Sequence, residues 1–177
     1  MISPQTIGSA VRATRRSACT GLVLLFALQA PIQWGAEAAS TPFAGLAGSW
    51  SGEGTIKLAS GDSERIRCRA TYDVTEGGLR LTQALKCASD SYQFNVESDI
   101  SYNADAGVVS GTWAETNYSS SGFLRGTVSG GTIKAHVKGK SFAAQVDVST
   151  SGNQQMVSIR PQTSEVAEVA VTMRKSG

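Results

Sequence analysis

The sequence contains one histidine, His136, the kind of base that a serine or cysteine nucleophile ordinarily needs. His136 stands between Ala135 and Val137 in a segment that alternates apolar and polar residues, so its side chain should point outward. No Gly-x-Ser-x-Gly segment occurs in the chain. These features predict that the protein has no catalytic residues and is not an enzyme.

Two carboxylates, Glu97 and Asp99, are spaced so that they lie on one side of a strand, where an acid and a base could act together. They share the polar side of their segment with Gln93 and Asn95, which favours a solvated surface. The sequence has no His/Cys cluster with zinc spacing and no glycine-rich phosphate loop before a helix. We therefore predict no bound metal and no cofactor.

Aromatic residues recur at the inward positions of the alternating segments. Of these, we predict that Trp50, Tyr92, Tyr102 and Trp113 are ligand-binding residues that line a cavity for a small apolar or amphipathic ligand. The ligand should enter beside Trp113 and the serine-rich loop over residues 117–122. The alternative is that these rings fill the interior, as happens in a barrel of about eight strands.

A basic stripe, formed by Arg65, Arg67, Arg69, Arg80 and Lys86, is the one notable charge feature. We predict Arg65, Arg67 and Arg69 as surface contacts for an anionic component of the cell envelope. The alternative is a solvated outer face whose charge is relieved by nearby carboxylates such as Glu64 and Asp73.

The first 38 residues have the build of a secretory signal peptide. Arg12, Arg15 and Arg16 precede an apolar run over residues 21–30, and Ala36-Glu37-Ala38 is a small-x-small cleavage pattern. We predict cleavage after Ala38 and a periplasmic or secreted protein, exported by the general or the twin-arginine route. The apolar run is too short for the roughly 20 residues that a membrane span requires.

Removal of that segment changes the charge of the protein. Of the 16 basic and 14 acidic residues, thirteen of each remain, so the mature chain is formally neutral. A nucleic-acid partner would call for a basic mature domain, and none is predicted. Residues 39–177 suit a single domain with its own core.

The mature segment alternates apolar and polar residues in stretches of about eight to eleven, separated by turn residues. This pattern predicts nine or ten strands and no helix. Sequential hairpins without a long crossover favour an all-β, antiparallel up-and-down barrel of about 8–10 strands.

One hairpin register follows from the residues themselves. If the turn is centred on Gly77-Gly78, Val74 faces Leu81 and Cys68 faces Cys87. A shift by one residue would move every apolar side chain to the other face. We therefore predict a disulfide between Cys68 and Cys87, at a hydrogen-bonded site after a two-residue turn or at the closer site after a four-residue turn.

In the same register Arg69 opposes Lys86, which brings like charges together. For the hairpin that follows Glu115, pairing of Asn117 with Gly122 would place Trp113 opposite Gly126.

The segment Gly48-Ser49-Trp50-Ser51-Gly52-Glu53-Gly54 resembles the first-strand motif of calycins, and more closely that of nitrobindin-like barrels. In lipocalins this tryptophan closes one end of the barrel beneath a basic residue of the last strand, a role that the resemblance assigns to Arg174. Gly111-Thr112-Trp113 is similar to an element of avidin-like barrels. Nitrobindin-like proteins bind haem through a histidine, and the outward His136 argues against haem here. The chain also resembles small, uncharacterised exported proteins of α-proteobacteria.

Together these inferences predict an exported, non-enzymatic barrel that binds a small ligand. The alternative is an envelope interaction or structural protein with a filled barrel and an outer basic stripe.

Overall fold

The computed structural model describes residues 41–176. The predicted signal peptide, its cleavage after Ala38 and the resulting domain boundary lie outside the described residues and stay predictions. No helix within residues 41–176 has the length and apolar character needed to cross a membrane.

Ten antiparallel strands form the described domain, and each pairs with its neighbours in sequence. The last strand pairs with the first, which closes the sheet into a barrel and leaves no unpaired edge. This confirms the predicted all-β up-and-down barrel. The strands are β1 (Gly48–Leu58), β2 (Ser63–Thr75), β3 (Arg80–Ala88), β4 (Gln93–Asn103), β5 (Val108–Glu115), β6 (Ser120–Ser129), β7 (Thr132–Gly139), β8 (Ala143–Ser151), β9 (Gln154–Pro161) and β10 (Val166–Lys175).

The hairpin of β2 and β3 has the predicted register. Cys68 lies opposite Cys87, their Cα atoms are 4.1 Å apart, and the two residues form a disulfide. The turn is the four-residue alternative, a short 3-10 segment over Glu76–Gly78 followed by Leu79. Gly77 adopts a φ of 64° there, a conformation that glycine reaches without strain.

The hairpin of β5 and β6 differs from the prediction. Trp113 lies opposite Gly122 and not Gly126, because the turn closes between Glu115 and Ser120. The Glu115 carboxylate is buried and accepts hydrogen bonds from the backbone N–H groups of Asn117 (3.2 Å) and Tyr118 (2.6 Å). These bonds tighten the turn and shift the register by four residues.

One end of the barrel, which we call the lead end, is covered by the segment before β1. Phe43, Leu46 and Trp50 are buried there, and the Trp50 indole N–H donates to the Leu46 carbonyl at 2.7 Å. The opposite end, which we call the loop end, carries the connections over residues 59–62, 89–92, 116–119, 140–142 and 162–165.

The basic residue above Trp50 is Lys175, so the assignment of this role to Arg174 was wrong. The Lys175 Nζ lies 5.9 Å from the centre of the Trp50 ring and donates to the Gly45 carbonyl at 3.2 Å. Lys175 pairs directly with Trp50 and shares its side of the sheet, whereas Arg174 pairs with Ser51 and is exposed.

Candidate functional site

The barrel interior is packed unevenly. On β1, β2 and β10 the inward side chains of Ile56, Ile66, Val171 and Met173 are buried. Several inward apolar side chains on the other strands retain part of their accessible surface, although Leu81, Val109 and Leu124 are buried. These half-buried residues are Leu85, Phe94, Val96, Ile100, Ile133, Val137, Val146, Val148, Val157 and Ile159. We call the space that they face the lumen.

A row of inward polar groups crosses four neighbouring strands. Tyr72 pairs with Gln83, Gln83 with Ser98, and Ser98 with Trp113. Each of these residues can donate a hydrogen bond from its side chain. We call this set the polar row.

Tyr72, at one end of the polar row, is hydrogen-bonded inside the barrel. Its hydroxyl donates to Gln155 Oε1 at 2.8 Å, and the Gln155 amide donates to Thr150 Oγ1 at 3.3 Å. Burial raises the pKa of Tyr72 to about 12, and the bond to Gln155 offsets part of that shift. Tyr72 is therefore a neutral hydroxyl at physiological pH.

Trp113, at the other end of the polar row, is 8% exposed and has no hydrogen-bond partner for its indole N–H. The Trp113 Nε1 atom is the one buried side-chain polar atom without a hydrogen-bond partner among residues 41–176. The ring meets Phe142 edge-on, with 5.7 Å between ring centres. Gly122 and Gly139 continue the same row across β6 and β7, and a methyl group on Gly139 would lie 3.1 Å from Trp113 Cζ2.

An aromatic group lies at the loop end. The rings of Tyr92 and Phe94 stack with 6.1 Å between centres, and Tyr118 lies the same distance from Phe94. The Tyr92 hydroxyl donates to Glu165 at 2.9 Å, and this bond raises the pKa of Tyr92. Glu64, on the adjacent rim, has a lowered pKa because Ser89 and the Ser91 backbone N–H donate to it.

Glu115 is the residue that sequence reasoning missed. Besides closing the β5–β6 turn, its carboxylate accepts the backbone N–H of Asn95 at 2.8 Å and so ties β4 to the loop. This contact fixes the position of Trp113, two residues earlier on the same face. The available signal was a carboxylate at an inward position immediately before a turn, where backbone donors are otherwise unsatisfied.

The four predicted ligand-binding residues do not form one cluster. Trp50 and Tyr102 lie toward the lead end, where Trp50 packs edge-on against Tyr72 with 6.2 Å between ring centres. Tyr92 and Trp113 lie toward the loop end. Their role in binding stays a prediction.

The basic stripe is partly neutralised. Arg67 pairs with Glu53 at 3.2 Å, and Arg80 pairs with Asp99 at 2.7 Å, which raises the pKa of Arg80. Arg69 lies opposite Lys86, as the register predicted.

Beyond Arg69, the same cross-strand row continues through Ser51 to Arg174. We call Lys86, Arg69 and Arg174 the cationic row. None of these three forms an ion pair within the described part of the chain.

The other candidate chemistry lies outside the barrel. His136 is exposed on the outer face between Arg125 and Gln145, which confirms its outward orientation. No group of three or more metal-ligating side chains occurs within residues 41–176.

Two shallow depressions, of about 310 and 580 Å³, are lined mainly by outward-facing residues. They surround Met156 and Phe123, whose side chains are exposed.

No protein-family model matches the sequence, and no curated protein matches it significantly. Among solved structures, Rv2717c from M. tuberculosis has a similar fold, with 14% sequence identity and a TM-score of 0.62. The match covers 78% of this chain and 98% of the Rv2717c chain. The S-type phycobiliprotein lyase CPES from Guillardia theta also has a similar fold, with 12% sequence identity and a TM-score of 0.57. The match covers 76% of this chain and 90% of the lyase chain.

The lyase overturns one prediction from the sequence. We predicted that the chain is not an enzyme because no nucleophile is paired with a base. A protein described as a lyase has a similar fold, so that reasoning was wrong: this architecture is compatible with enzymatic function. At these identities the similarities show the fold alone, a closed antiparallel barrel with calycin-like architecture.

Proposed function

We propose that the protein is an exported barrel that binds a small apolar or amphipathic ligand in its lumen. The observation that carries this proposal is the half-buried state of the ten inward apolar residues that face the lumen, such as Val96 on β4 and Val146 on β8. In a filled barrel these side chains would be packed from all sides. Ten strands also enclose a wider interior than eight, for which side chains alone suffice.

The geometry of the two ends suggests the route of entry. At the lead end Phe43, Leu46 and Trp50 are buried together, and the Trp50 N–H is satisfied by the chain itself. At the loop end the aromatic side chains of Tyr92 and Tyr118 remain partly or largely exposed. A ligand would enter there, beside Trp113 and the turn after Glu115.

Two further features support a binding barrel in an oxidising compartment. The Cys68–Cys87 disulfide is of the kind that persists outside the cytosol. A protein described as a phycobiliprotein lyase has a similar fold, so this architecture is compatible with a function that involves another molecule.

Native mass spectrometry of the protein purified from its own host tests the proposal. We expect a species heavier than the polypeptide by the mass of one small molecule, which is lost when the protein is denatured. The proposal fails if the native species has the bare polypeptide mass and added apolar probes do not bind.

A second candidate function rests on the cationic row. Arg69 and Lys86 face each other, an arrangement that costs stability unless an anion lies nearby. An anionic envelope component would supply that charge. Charge reversal of Arg69 and Arg174 should then release the protein from anionic vesicles, whereas reversal of Arg125, exposed on β6, should not. Unchanged association of the double variant would reject this candidate.

A further inference from the structure

The unpartnered N–H of Trp113 defines the chemistry of the ligand. A buried N–H without an acceptor costs about 1–3 kcal/mol, and such groups are rare in folded proteins. The indole of Trp50 shows the usual situation, since its N–H donates to the Leu46 carbonyl at 2.7 Å. Trp113 is equally inward, yet its N–H has no acceptor among the described residues. Its acceptor is therefore to be sought outside the described chain.

The surroundings of Trp113 supply further donors and no positive charge. Ser98 lies directly opposite on β4, and Gln83 follows on β3. The polar row contains no lysine, arginine or histidine. A free carboxylate would lose its hydration there without gaining a counter-ion, which is strongly unfavourable. An uncharged oxygen acceptor meets no such penalty.

The ring of Phe142 covers part of the Trp113 indole. The Trp113 N–H is out of contact with solvent, and Phe142 packs edge-on against the ring. Phe142 belongs to the loop-end connection between β7 and β8 and is half-buried. A change of its χ1 rotamer would remove this ring from the face of the indole that it contacts.

We infer that the polar row binds an uncharged carbonyl group of the ligand, an ester, amide or ketone, and that the Trp113 N–H is its principal donor. The inference rests on the proposed function, because it assumes that the lumen is occupied. The apolar part of the ligand lies against the inward side chains of β4 and β7–β9, and displacement of Phe142 admits the carbonyl.

The test compares three probes of similar chain length: methyl laurate, dodecane and lauric acid. We expect the ester to bind about five-fold more tightly than the alkane, the factor that one net hydrogen bond provides, and the acid to bind more weakly than the ester. Trp113→Phe should reduce the ester's advantage to less than about two-fold without weakening dodecane binding. Phe142→Ala should leave the preference intact.

A second readout reports on the hydrogen bond itself. In ¹H–¹⁵N spectra of the wild-type protein, the Trp113 indole resonance, assigned from its absence in Trp113→Phe, should move downfield with the ester and not with dodecane. The Trp50 resonance serves as an internal control, because its N–H already has an acceptor.

Equal affinities for ester and alkane with an unmoved Trp113 resonance would overturn the inference and leave the proposed function intact. Tighter binding of lauric acid than of the ester would also overturn it, because the site would then accept a charge. Binding of none of the probes would refute the proposed function, and the inference with it. If Trp113→Phe does not fold, the wild-type spectra still decide, with the Trp113 resonance assigned through the shift that Phe142→Ala causes.

Discussion

Trp113 lies directly opposite Gly122 on the neighbouring strand, and Gly139 continues the row on the strand after that. The absence of side chains at these two positions leaves the wall of the barrel bare beneath the indole. The backbones of β6 and β7 also approach closely here, since a methyl group on Gly122 would overlap the Lys138 carbonyl oxygen. Residues on three strands, β5, β6 and β7, therefore determine the position of the indole, on which the ligand proposal depends.

Substitution of Gly122 tests that arrangement. Gly122→Ala should lower the free energy of unfolding by about 1–3 kcal/mol, because the added methyl group meets rigid backbone rather than a flexible side chain. Gly45→Ala is the matched control: nothing lies within 4 Å of the point where its methyl group would stand, so its stability should change by less than about 0.5 kcal/mol. Urea unfolding of both variants checks the prediction, and equal midpoints would contradict it.

The disulfide should contribute strongly to stability. Cys68 and Cys87 are separated by 19 residues, and a cross-link that closes a loop of this size contributes about 3 kcal/mol. Replacement of both cysteines by alanine should lower the free energy of unfolding by about that amount, as measured by urea titration. If both thiols of the native protein can be alkylated without a reductant, the disulfide assignment is wrong.

The cross-strand pairing of Arg69 with Lys86 predicts a stabilising substitution. Lys86→Glu converts a repulsive cross-strand pair into an attractive one and should raise the free energy of unfolding by about 0.2–1 kcal/mol at low salt. Lys134→Glu is the mirror-image control, because Lys134 lies opposite Asp147 and the change creates repulsion. In thermal unfolding, Lys86→Glu should raise the melting temperature and Lys134→Glu should lower it. A loss of stability in Lys86→Glu would show that Lys86 has an acidic neighbour after all.

Alkaline pH should weaken the fold through Tyr72. Its pKa is raised from 10.0 to about 12 by burial, so below pH 10 the hydroxyl is neutral in both the folded and the unfolded state. Between these values only the unfolded chain loses the proton. Stability therefore falls as pH rises through this window, by roughly 2–3 kcal/mol in total.

Tyr72→Phe isolates this contribution. The variant should be less stable at neutral pH, because Gln155 loses the hydroxyl that donates to it, but its stability should fall less steeply above pH 10. Urea midpoints measured across the window compare the two slopes. Parallel slopes would mean that Tyr72 titrates normally in the folded protein.

The parts of the fold that the sequence predicted are those with several local signals. The β2–β3 register follows from hydrophobic alternation, turn glycines and paired cysteines, all within 20 residues, and any slip breaks all three. The β5–β6 register had only a serine-rich stretch to define its turn. There Ser119 adopts a φ of 48° and the buried Glu115 carboxylate selects the turn through contacts with Asn95 and Tyr118. The bond from Asn95 comes from β4, 20 residues away, and leaves no local pattern in the sequence.

The candidate site was predictable in composition but not in arrangement. Alternation identifies both Trp50 and Trp113 as inward residues and does not distinguish them. In the structure the Trp50 indole has an acceptor and the Trp113 indole has none. The difference arises because the segment before β1 folds back over Trp50. Whether inward residues such as Val146 fill the interior depends on the width of the barrel, which alternation does not encode.

One titration tests most directly whether the lumen is unfilled and binds a ligand. Val146→Trp places a large ring in the lumen between Ala135 and Ile159, whereas Gln145→Trp adds the same ring on the exposed outer face. N-phenylnaphthylamine fluorescence should report binding to the wild-type protein and to Gln145→Trp and none to Val146→Trp, which should unfold close to the wild-type temperature. A wild-type protein that does not bind the probe, with a strongly destabilised Val146→Trp, would show a filled barrel and contradict the account.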